Sequence, residues 1–498
     1  MRFRKGPEDR HMTRLDYIIL AIYVIVVVGL GTVFSKKQKS LKEFFLGSRN
    51  IPWWAAAFSG IATTISAIGY LGAPGQAFKS NLTYLQYRLA LPVAIFVNVF
   101  VFLPFFYRLE IYSIYEYLEK RFDLKTRLLA SALFIILKST YLGIGIYASA
   151  LLLVQMTHLP QTVLILTIGL ITAIYTMLGG IRGVIWTDTA QLIILLSGIA
   201  VAMYMIVSRF DGGVATVYSL ALAEHKLRFF DFSFSLSREV TFWGGLIGGA
   251  FVMISEFGTD QALMQRFLTA RSIRKSQLAM VSSMVVAALV GASLFLLGSG
   301  LYVFYTKFPG AEGVAMNPDL VFPRFIVEVL PRGIRGLLVA AVFSAAMSTI
   351  SAVLNSLSTV TLVDFYQRLS GRAATIRLAR ITTLVAGAAC TVIALEAARL
   401  GNILVASTKV SGFFGGCMAG VFLLGVLVRR ANGAGAFVGA LIGLLGMTLV
   451  SVLTPLSWMW YGVFSAVLTF GSGLLVSMVF KDSAATTSEA LLFMRGAE

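Results

Sequence analysis

Long apolar runs recur along the whole chain and are separated by short polar connections. Because about 20 apolar residues cross the hydrocarbon core of a bilayer as a helix, this pattern predicts an all-α membrane protein with about thirteen transmembrane helices. The predicted spans are 16–35, 53–78, 82–107, 128–155, 160–178, 182–208, 239–257, 276–306, 335–364, 376–397, 401–428, 433–455 and 457–480. The connections 209–238 and 307–334 are too polar to span, and Pro318–Leu330 is predicted to form a short surface helix.

Two of the apolar segments are interrupted by small, hydroxylated and helix-breaking residues. The first, Ala55–Gln76, reads AAAFSGIATTISAIGYLGAPGQ, and the second, at 243–262, reads WGGLIGGAFVMISEFGTDQA. A broken helix is tolerated in a membrane only where its freed carbonyls face protein, water or a ligand, and paired interruptions indicate the midplane site of a secondary transporter. Glycines that merely permit close helix packing are the alternative explanation.

The two interrupted segments also divide the chain. Each heads a set of five predicted spans, so 53–208 and 239–428 are predicted to be two five-helix repeats of opposite orientation. The span 16–35 and the two spans within 433–480 are then accessory helices, and 1–15 and 481–498 are terminal tails.

Composition and charge fit this picture. Hydrophobic residues make up 58% of the chain and charged residues 13%, and the formal net charge is +18. Nucleic-acid binding is one reading of that charge, but its distribution over short connections fits membrane orientation better. Alternate connections carry 23 and 15 Lys and Arg residues, which predicts an outside N-terminus and a cytoplasmic C-terminus in the cell (inner or plasma) membrane. The two cysteines lie in apolar runs, so neither a disulfide framework nor a cysteine metal site is predicted.

A stripe of hydroxyl groups marks a third stretch, Ala340–Asn355. Ser344, Ser348 and Ser351 recur there at helical spacing and offer the neutral oxygen ligands that hard cations take. Bonding of these hydroxyls to their own helix is the simpler explanation. Asp188 lies within an apolar run, where an acidic residue is a functional hypothesis by default, and it is expected to add negative charge to a sodium path.

Four longer motifs resemble the sodium:solute symporter family. They are YRLEIYSIYEYLEKRF at 107–122, YTMLGGIRGVIWTDTAQ at 175–191, GTDQALMQRFLTA at 258–270 and SAAMSTISAVLNSLSTVTLVDFY at 344–366. The resemblance covers about residues 15–480. It implies a LeuT-type 5+5 inverted repeat and sodium-driven symport of a small solute by alternating access.

The resemblance also implies a sodium site between the first and eighth core helices. Its ligands would be the carbonyls or hydroxyls of Ala62, Ile65, Ala345, Ser348 and Thr349. Some family members hold a second sodium, which would here use Asp188, Ser348 and Ser351, although Ala352 stands where a third serine is expected. One coupled Na⁺ is therefore the expectation.

Candidate solute-binding residues lie on the broken first core helix and its neighbours. They are Ser66, Gly69, Tyr84, Arg88, Lys138, Tyr141 and Glu256. Gly69 and Arg88 stand where the sugar members of the family have glutamine and glutamate, which argues against a hexose bound in the same way. Tyr141 matches the arginine that the sialic acid members use for the carboxylate, and Lys138 lies one turn away.

The cations at Arg88 and Lys138 favour an organic anion such as a sugar acid, sialic acid or monocarboxylate, since an unpartnered buried cation is costly. Glu256 is a competing partner for either cation, and such a pair would leave room for a neutral sugar or an amino acid.

Other function classes find less support in the sequence. A channel has no need of two broken helices that head repeated halves, and no catalytic motif indicates an enzyme. Proton coupling remains an alternative, because Asp188 and Glu256 are able to titrate. The expected partners are a small solute and the lipid bilayer, without nucleic acid, and the chain is expected to be monomeric.

Overall fold

Helices account for the regular structure of the described chain. The computed structural model describes residues 12–33, 40–157, 159–309, 317–397 and 403–480. Within these ranges the one β-type contact is an isolated bridge between Ile51 and Ala270. The prediction of an all-α protein is confirmed. Lys409, which we could not assign a role from the sequence, lies outside the residues whose side chains are described.

The helices follow the predicted apolar runs. They are α1 (Arg14–Val33), α2 (Leu41–Leu46), α3 (Trp53–Thr64), α4 (Ala67–Lys79), α5 (Leu82–Arg108, with 3-10 and π segments), α6 (Glu116–Arg121), α7 (Leu124–Thr157), α8 (Gln161–Val207), α9 (Gly213–Ala223), α10 (Gly244–Gly258), α11 (Gln261–Phe267), α12 (Ile273–Lys307), α13 (Val321–Glu328), α14 (Ile334–Ser370), α15 (Ile376–Glu396), α16 (Ile403–Leu427), α17 (Gly433–Leu453) and α18 (Tyr461–Val479). By length and apolar character, the described chain contains ten membrane-spanning helices, or eleven when the bent pair α3–α4 is counted as one.

The first interruption lies where the sequence predicts it. Helix α3 ends at Thr64, α4 begins at Ala67, and their axes differ by 57°. Ile65 has a ψ of 78°, outside the helical region, and the Ser66 hydroxyl accepts a hydrogen bond from the Gly69 amide to start α4. Because a serine N-cap satisfies the amides of a new helix, the break is encoded locally.

The second interruption separates α10 from α11. Helix α10 ends at Gly258, and the Asp260 carboxylate caps α11 by accepting from the Ala262 amide (2.8 Å). The predicted span 239–257 is shortened, because residues 233–241 are not helical.

Helix α8 joins two of the predicted spans, 160–178 and 182–208. Its 47 residues correspond to about 70 Å at 1.5 Å per residue, which is roughly twice the thickness of the hydrocarbon core. Gly180 interrupts it with a φ of 54°, a backbone conformation that glycine adopts readily. Arg182 follows at once and donates to the Gly47 carbonyl (3.0 Å).

Successive connections alternate between the two ends of the bundle. We call one of them the basic end, and four connections meet there, namely 40–52, 107–121, 265–275 and 425–433. The Ile51 amide, for example, donates to the Thr269 carbonyl (3.2 Å). At the opposite end, Lys226 Nζ donates to the Phe78 carbonyl (2.8 Å), and the Ser457 amide donates to the Leu236 carbonyl (2.7 Å). These contacts group the connections named here into two sets, one at each end of the bundle.

Candidate functional site

A cavity of about 220 Å³ lies at the interruption of the first core helix, and the second interruption borders it. All seven predicted solute-binding residues line it, which are Ser66, Gly69, Tyr84, Arg88, Lys138, Tyr141 and Glu256. Helices α3, α4, α5, α7, α10, α12 and α14 each contribute to the wall. The structure thus brings together in one volume residues that are up to 190 positions apart in the sequence.

Aromatic rings form the side of the cavity that faces away from the basic end. The Tyr84 ring stacks on Phe295 at 5.3 Å between centroids and lies 5.4 Å from Trp458. On the other side, the Tyr141 hydroxyl donates to Ser66 Oγ (3.1 Å). A Cβ atom added at Gly69 would meet nothing within 4 Å, so this glycine faces open space.

Lys138 pairs with Asp260 and not with Glu256. The Lys138 ammonium contacts Asp260 Oδ2, and the two side chains are only 15% and 7% exposed. Since Asp260 also caps α11, one carboxylate both ends the second interruption and neutralises the cation on α7. The expected alternative of a Lys138–Glu256 pair is wrong, because the unwound turn after α10 brings Asp260 closer.

Arg88 keeps its charge available to the cavity. Its guanidinium lies 4.6 Å from the centre of the Tyr87 ring, and its Nε is buried without a hydrogen-bond partner among the described residues. Glu256 lines the same cavity, but neither residue forms an ion pair in the described part of the chain. The expected Arg88–Glu256 pair is therefore not formed in this state.

The five predicted sodium ligands cluster beside the cavity, where α3 faces α14. Ser348 Oγ donates to the Ala62 carbonyl (2.9 Å), and Thr349 Oγ1 lies 3.3 Å from the Ala345 carbonyl. Ile65, at the end of α3, lines the cavity with Thr349. Neutral carbonyl and hydroxyl oxygens are the ligands that hard cations prefer, so the residues fit Na⁺. Thr349 Oγ1 also donates to the Thr63 carbonyl (3.2 Å), an oxygen that the sequence analysis did not consider.

Asp188 is fully buried next to an arginine that was missed. Its Oδ2 accepts from Ser59 Oγ (2.5 Å) and from Arg266 Nη2 (3.4 Å), and Arg266 is also 0% exposed. Its Oδ1 has no hydrogen-bond partner among the described residues. Ser351, another residue of the predicted second sodium site, donates its Oγ hydrogen to the Ser348 carbonyl (3.1 Å). Of the oxygens predicted for that site, Asp188 Oδ1 is thus the one that the described residues leave unbonded.

The residues that sequence reasoning missed, Asp260 and Arg266, both lie in the quoted motif GTDQALMQRFLTA. The available signal was their charge, since ionisable residues inside membrane segments mark function or partners. The pairing itself depends on which helices approach each other, and neighbouring sequence does not contain that information.

Comparison with known proteins gives the same assignment. Residues 44–443 match the sodium:solute symporter family. The sodium/sialic acid symporter SiaT of Proteus mirabilis is 34% identical over 94% of this chain and 95% of its own. The sodium-coupled monocarboxylate transporter 2 of Danio rerio is 32% identical over 86% of this chain and 70% of its own, and the human sodium/iodide cotransporter is 33% identical over 86% and 68%.

Solved structures agree with the sequence relatives. A Na⁺-coupled sialic acid symporter in a substrate-bound, outward-open state superposes with a TM-score of 0.87 at 33% identity, covering 94% of this chain and 98% of that one. Mhp1, a nucleobase-cation-symport-1 family transporter, shares the fold at 16% identity with a TM-score of 0.57 over 90% and 97% of the two chains. This chain is a multi-pass membrane transporter and not an enzyme, and it belongs to the sodium:solute symporter family.

Proposed function

We propose that this chain imports a small organic anion together with Na⁺, by alternating access to the cavity between the two helix interruptions. The observation that carries the proposal is that only one of the two cations of the cavity is held in an ion pair. Lys138 is neutralised by Asp260, whereas Arg88 lines the same cavity without an ion pair in the described chain. Because an unpartnered buried cation is costly, a solute carboxylate is the natural partner of Arg88. Relatives named for sialic acid and for monocarboxylates support this solute class.

Glu256 supports a second candidate. It lines the cavity with Arg88 and has no ion pair in the described residues, so a carboxylate of the protein and a guanidinium are both available. A zwitterionic amino acid would satisfy both charges, whereas a neutral sugar would satisfy neither.

Na⁺ is the coupling ion, as in the sodium-coupled symporters to which this chain is similar. Its site is proposed at Ala62, Ile65, Ala345, Ser348 and Thr349, where it would join the broken helix α3 to α14 and preorder the adjacent cavity. Such a ligand shifts the conformational equilibrium only by its differential affinity for the two states, so the site must come apart when the basic end opens.

A second Na⁺ near Asp188 is a weaker proposal. The orphan Asp188 Oδ1 and the nearby Ser351 support it, as does the novel Na⁺ site of the solved sialic acid symporter. The buried guanidinium of Arg266 already compensates part of the Asp188 charge, and Ala352 removes one ligand. One coupled Na⁺ is therefore the stoichiometry that we propose. Proton coupling would use Asp188 or Glu256 instead.

The proposed architecture has thirteen spans. Helix α8 is long enough to cross twice, and α10 with α11 forms a second broken span, which adds two crossings to the eleven defined by length. The repeats are then 53–208 and 239–428. The larger number of Lys and Arg residues at the basic end supports a cytoplasmic location of that end and of the C-terminus, with an outside N-terminus. A monomer is the oligomeric state that we propose.

Uptake by proteoliposomes tests the solute class. Protein reconstituted in liposomes would be given radiolabelled sialic acid, lactate, an amino acid or a hexose, with an inward gradient of Na⁺ or of K⁺. We expect Na⁺-dependent uptake of a carboxylate, and we expect Arg88→Gln to abolish it. Arg228 is an exposed arginine outside the cavity, so the control variant Arg228→Gln should leave uptake unchanged. Equal uptake by Arg88→Gln and wild type, or hexose uptake alone, would contradict the anion proposal.

A further inference from the structure

The connection between α9 and α10 exposes a row of apolar side chains. We call Phe230, Phe232, Phe234 and Leu236 the aromatic ladder; these residues are 48%, 62%, 70% and 42% exposed. The backbone is not helical here, and the side chains between them, among them Asp231, are only partly exposed. Because side chains alternate across an extended backbone, the ladder is an apolar face turned outward with polar groups turned inward.

This orientation is the reverse of what a water-facing strand adopts. A strand on the surface of a soluble protein places its apolar side chains on the core and its polar ones in water. Outward apolar and inward polar residues are instead typical of a backbone that contacts lipid. Contiguous exposed apolar patches mark interaction or membrane sites.

The ladder is held in place by the neighbouring helices. The Asp231 amide donates to Gln86 Oε1 of α5 (2.9 Å), and the Phe242 amide donates to the Asp231 carbonyl (2.7 Å). At its other end, the Leu236 carbonyl accepts from the amide of Ser457, just before α18. The outward direction of the rings is therefore built into the fold.

The ladder continues into an exposed apolar face of α10. The Phe232 ring lies 5.0 Å from Phe242, and Phe242 lies 5.2 Å from Trp243. Trp243 and Ile247 lie one helical turn apart at the start of α10 and are 42% and 38% exposed. Tryptophan and tyrosine concentrate at the membrane–water interface, which suits the position of Trp243 next to the ladder.

We infer that the aromatic ladder lies in the bilayer interface at the opposite end of the molecule, with its rings against lipid and its polar residues against the protein. The partner is a lipid surface, and not a soluble protein or a second copy, because the ladder and the exposed face of α10 form one continuous apolar surface. The contact fixes the end of α5 that holds Tyr84 and the turn before α18 that holds Trp458, and both residues line the cavity. This inference does not depend on the identity of the solute.

Spin labelling tests the location. The native Cys390 and Cys417 are both 0% exposed, so single cysteines introduced at the surface can be labelled selectively. Nitroxides would be placed by Phe232→Cys and Phe234→Cys, with Ser237→Cys as the matched control on the same connection, where the residue is exposed and polar. In proteoliposomes we expect the ratio of oxygen to nickel-chelate accessibility to be several-fold higher at 232 and 234 than at 237.

Two results would overturn the inference. Equal nickel-chelate accessibility at all three positions would place the ladder in water, and shielding of 232 and 234 from both reagents would mean that protein covers it. A bimane label on the same cysteines gives a second readout, with stronger quenching by spin-labelled lipid expected at 232 and 234. Quenching that is no stronger there than at 237 would also reject the lipid contact.

Discussion

Lys138 and Asp260 determine which charge of the cavity is left for a solute. Both side chains are largely buried and contact each other directly. Removing one partner of a buried ion pair leaves the other charge uncompensated and typically costs about 3–5 kcal/mol, whereas replacing both by apolar groups costs much less. The two cations of the cavity are thus expected to respond differently to mutation, although they look equivalent in the sequence.

We predict that Asp260→Asn destabilises the protein by about 3 kcal/mol, because it leaves the Lys138 ammonium without its counter-charge. The double variant Lys138→Met/Asp260→Asn is expected to recover a large part of this loss. Thermal unfolding in detergent measures both. Glu256→Gln is the control, since Glu256 has no ion pair in the described chain; an equal loss in this variant would argue against a special role of the pair.

In our proposal, sodium coupling depends on the hydroxyl groups of Ser348 and Thr349. Ser348→Ala and Thr349→Val each remove one of five oxygen ligands and are expected to abolish Na⁺ stimulation of uptake while the protein stays folded. Ser356→Ala is a matched control, because Ser356 is a buried serine of α14 whose hydroxyl donates to the Val353 carbonyl of its own helix (2.8 Å). Na⁺ dependence that persists in both ligand variants would reject the site.

At the scale of elements, close helix contacts depend on glycine at particular positions. A Cβ atom added at Gly249 of α10 would lie 2.5 Å from the Tyr87 carbonyl oxygen, and one at Gly245 would lie 2.9 Å from the Gln86 carbonyl carbon. Backbone atoms cannot move aside as a flexible side chain does. Gly245 and Gly249 therefore serve packing against α5, which was the alternative explanation for the glycines in the sequence.

Gly249→Ala is accordingly expected to lower the midpoint of thermal unfolding, since α10 must shift away from α5. Gly69→Ala, the same change on the other broken helix, is expected to leave that midpoint unchanged because its Cβ would enter open space. Comparing the two purified variants in one detergent tests this directly. A larger decrease of the unfolding midpoint in Gly69→Ala than in Gly249→Ala would contradict this prediction.

The elements were predictable from the sequence to the extent that their signals are local. The break at Ile65 and Ser66 follows from small and hydroxylated residues in an apolar run. The helix predicted at Pro318–Leu330 forms as a 3-10 turn at Pro318–Leu320 followed by α13, but its prediction as a surface helix is wrong, because most residues of α13 are buried. The partner of Lys138 was not predictable, because it depends on how the turn after Gly258 is placed against α7. The separation of 160–178 from 182–208 was also predictable, because it falls at Gly180, where the backbone leaves the helical region (φ 54°).

For the whole molecule, the basic end is closed by two layers. Phe102, Phe106, Tyr115, Tyr117 and Phe422 form a buried aromatic cluster below the cavity. Beyond it, Arg127 joins Asp364 of α14 (2.5 Å) to Glu119 of α6 (2.7 Å). In the import cycle that we propose, opening this end would separate these groups, so their contacts would stabilise the closed state.

The two arginines that contact Glu119 differ in burial. Arg127 is 7% exposed and also neutralises the fully buried Asp364, whereas Arg368 is 48% exposed. Burial alone would raise the pKa of Glu119, but the hydrogen bonds from Arg127 and Arg368 lower it below its usual value. A carboxyl with a depressed pKa stabilises the folded state above its unfolded pKa and loses that contribution only as the pH falls through the folded pKa. The stabilising contribution of Glu119 is therefore constant near neutrality and is lost as the pH falls below about 4.

We predict that Arg127→Gln shifts the protein towards the state in which the basic end is open, because it leaves Asp364 as an uncompensated buried charge. Arg368→Gln is the matched control, and its effect is expected to be small because exposed ion pairs contribute roughly 0–1 kcal/mol. The readout is a cysteine at Ala262, which lines the cavity, labelled from the basic end by a membrane-impermeant thiol reagent. Faster labelling in Arg127→Gln than in Arg368→Gln is the expected result; equal rates would mean that the aromatic cluster alone keeps this end closed.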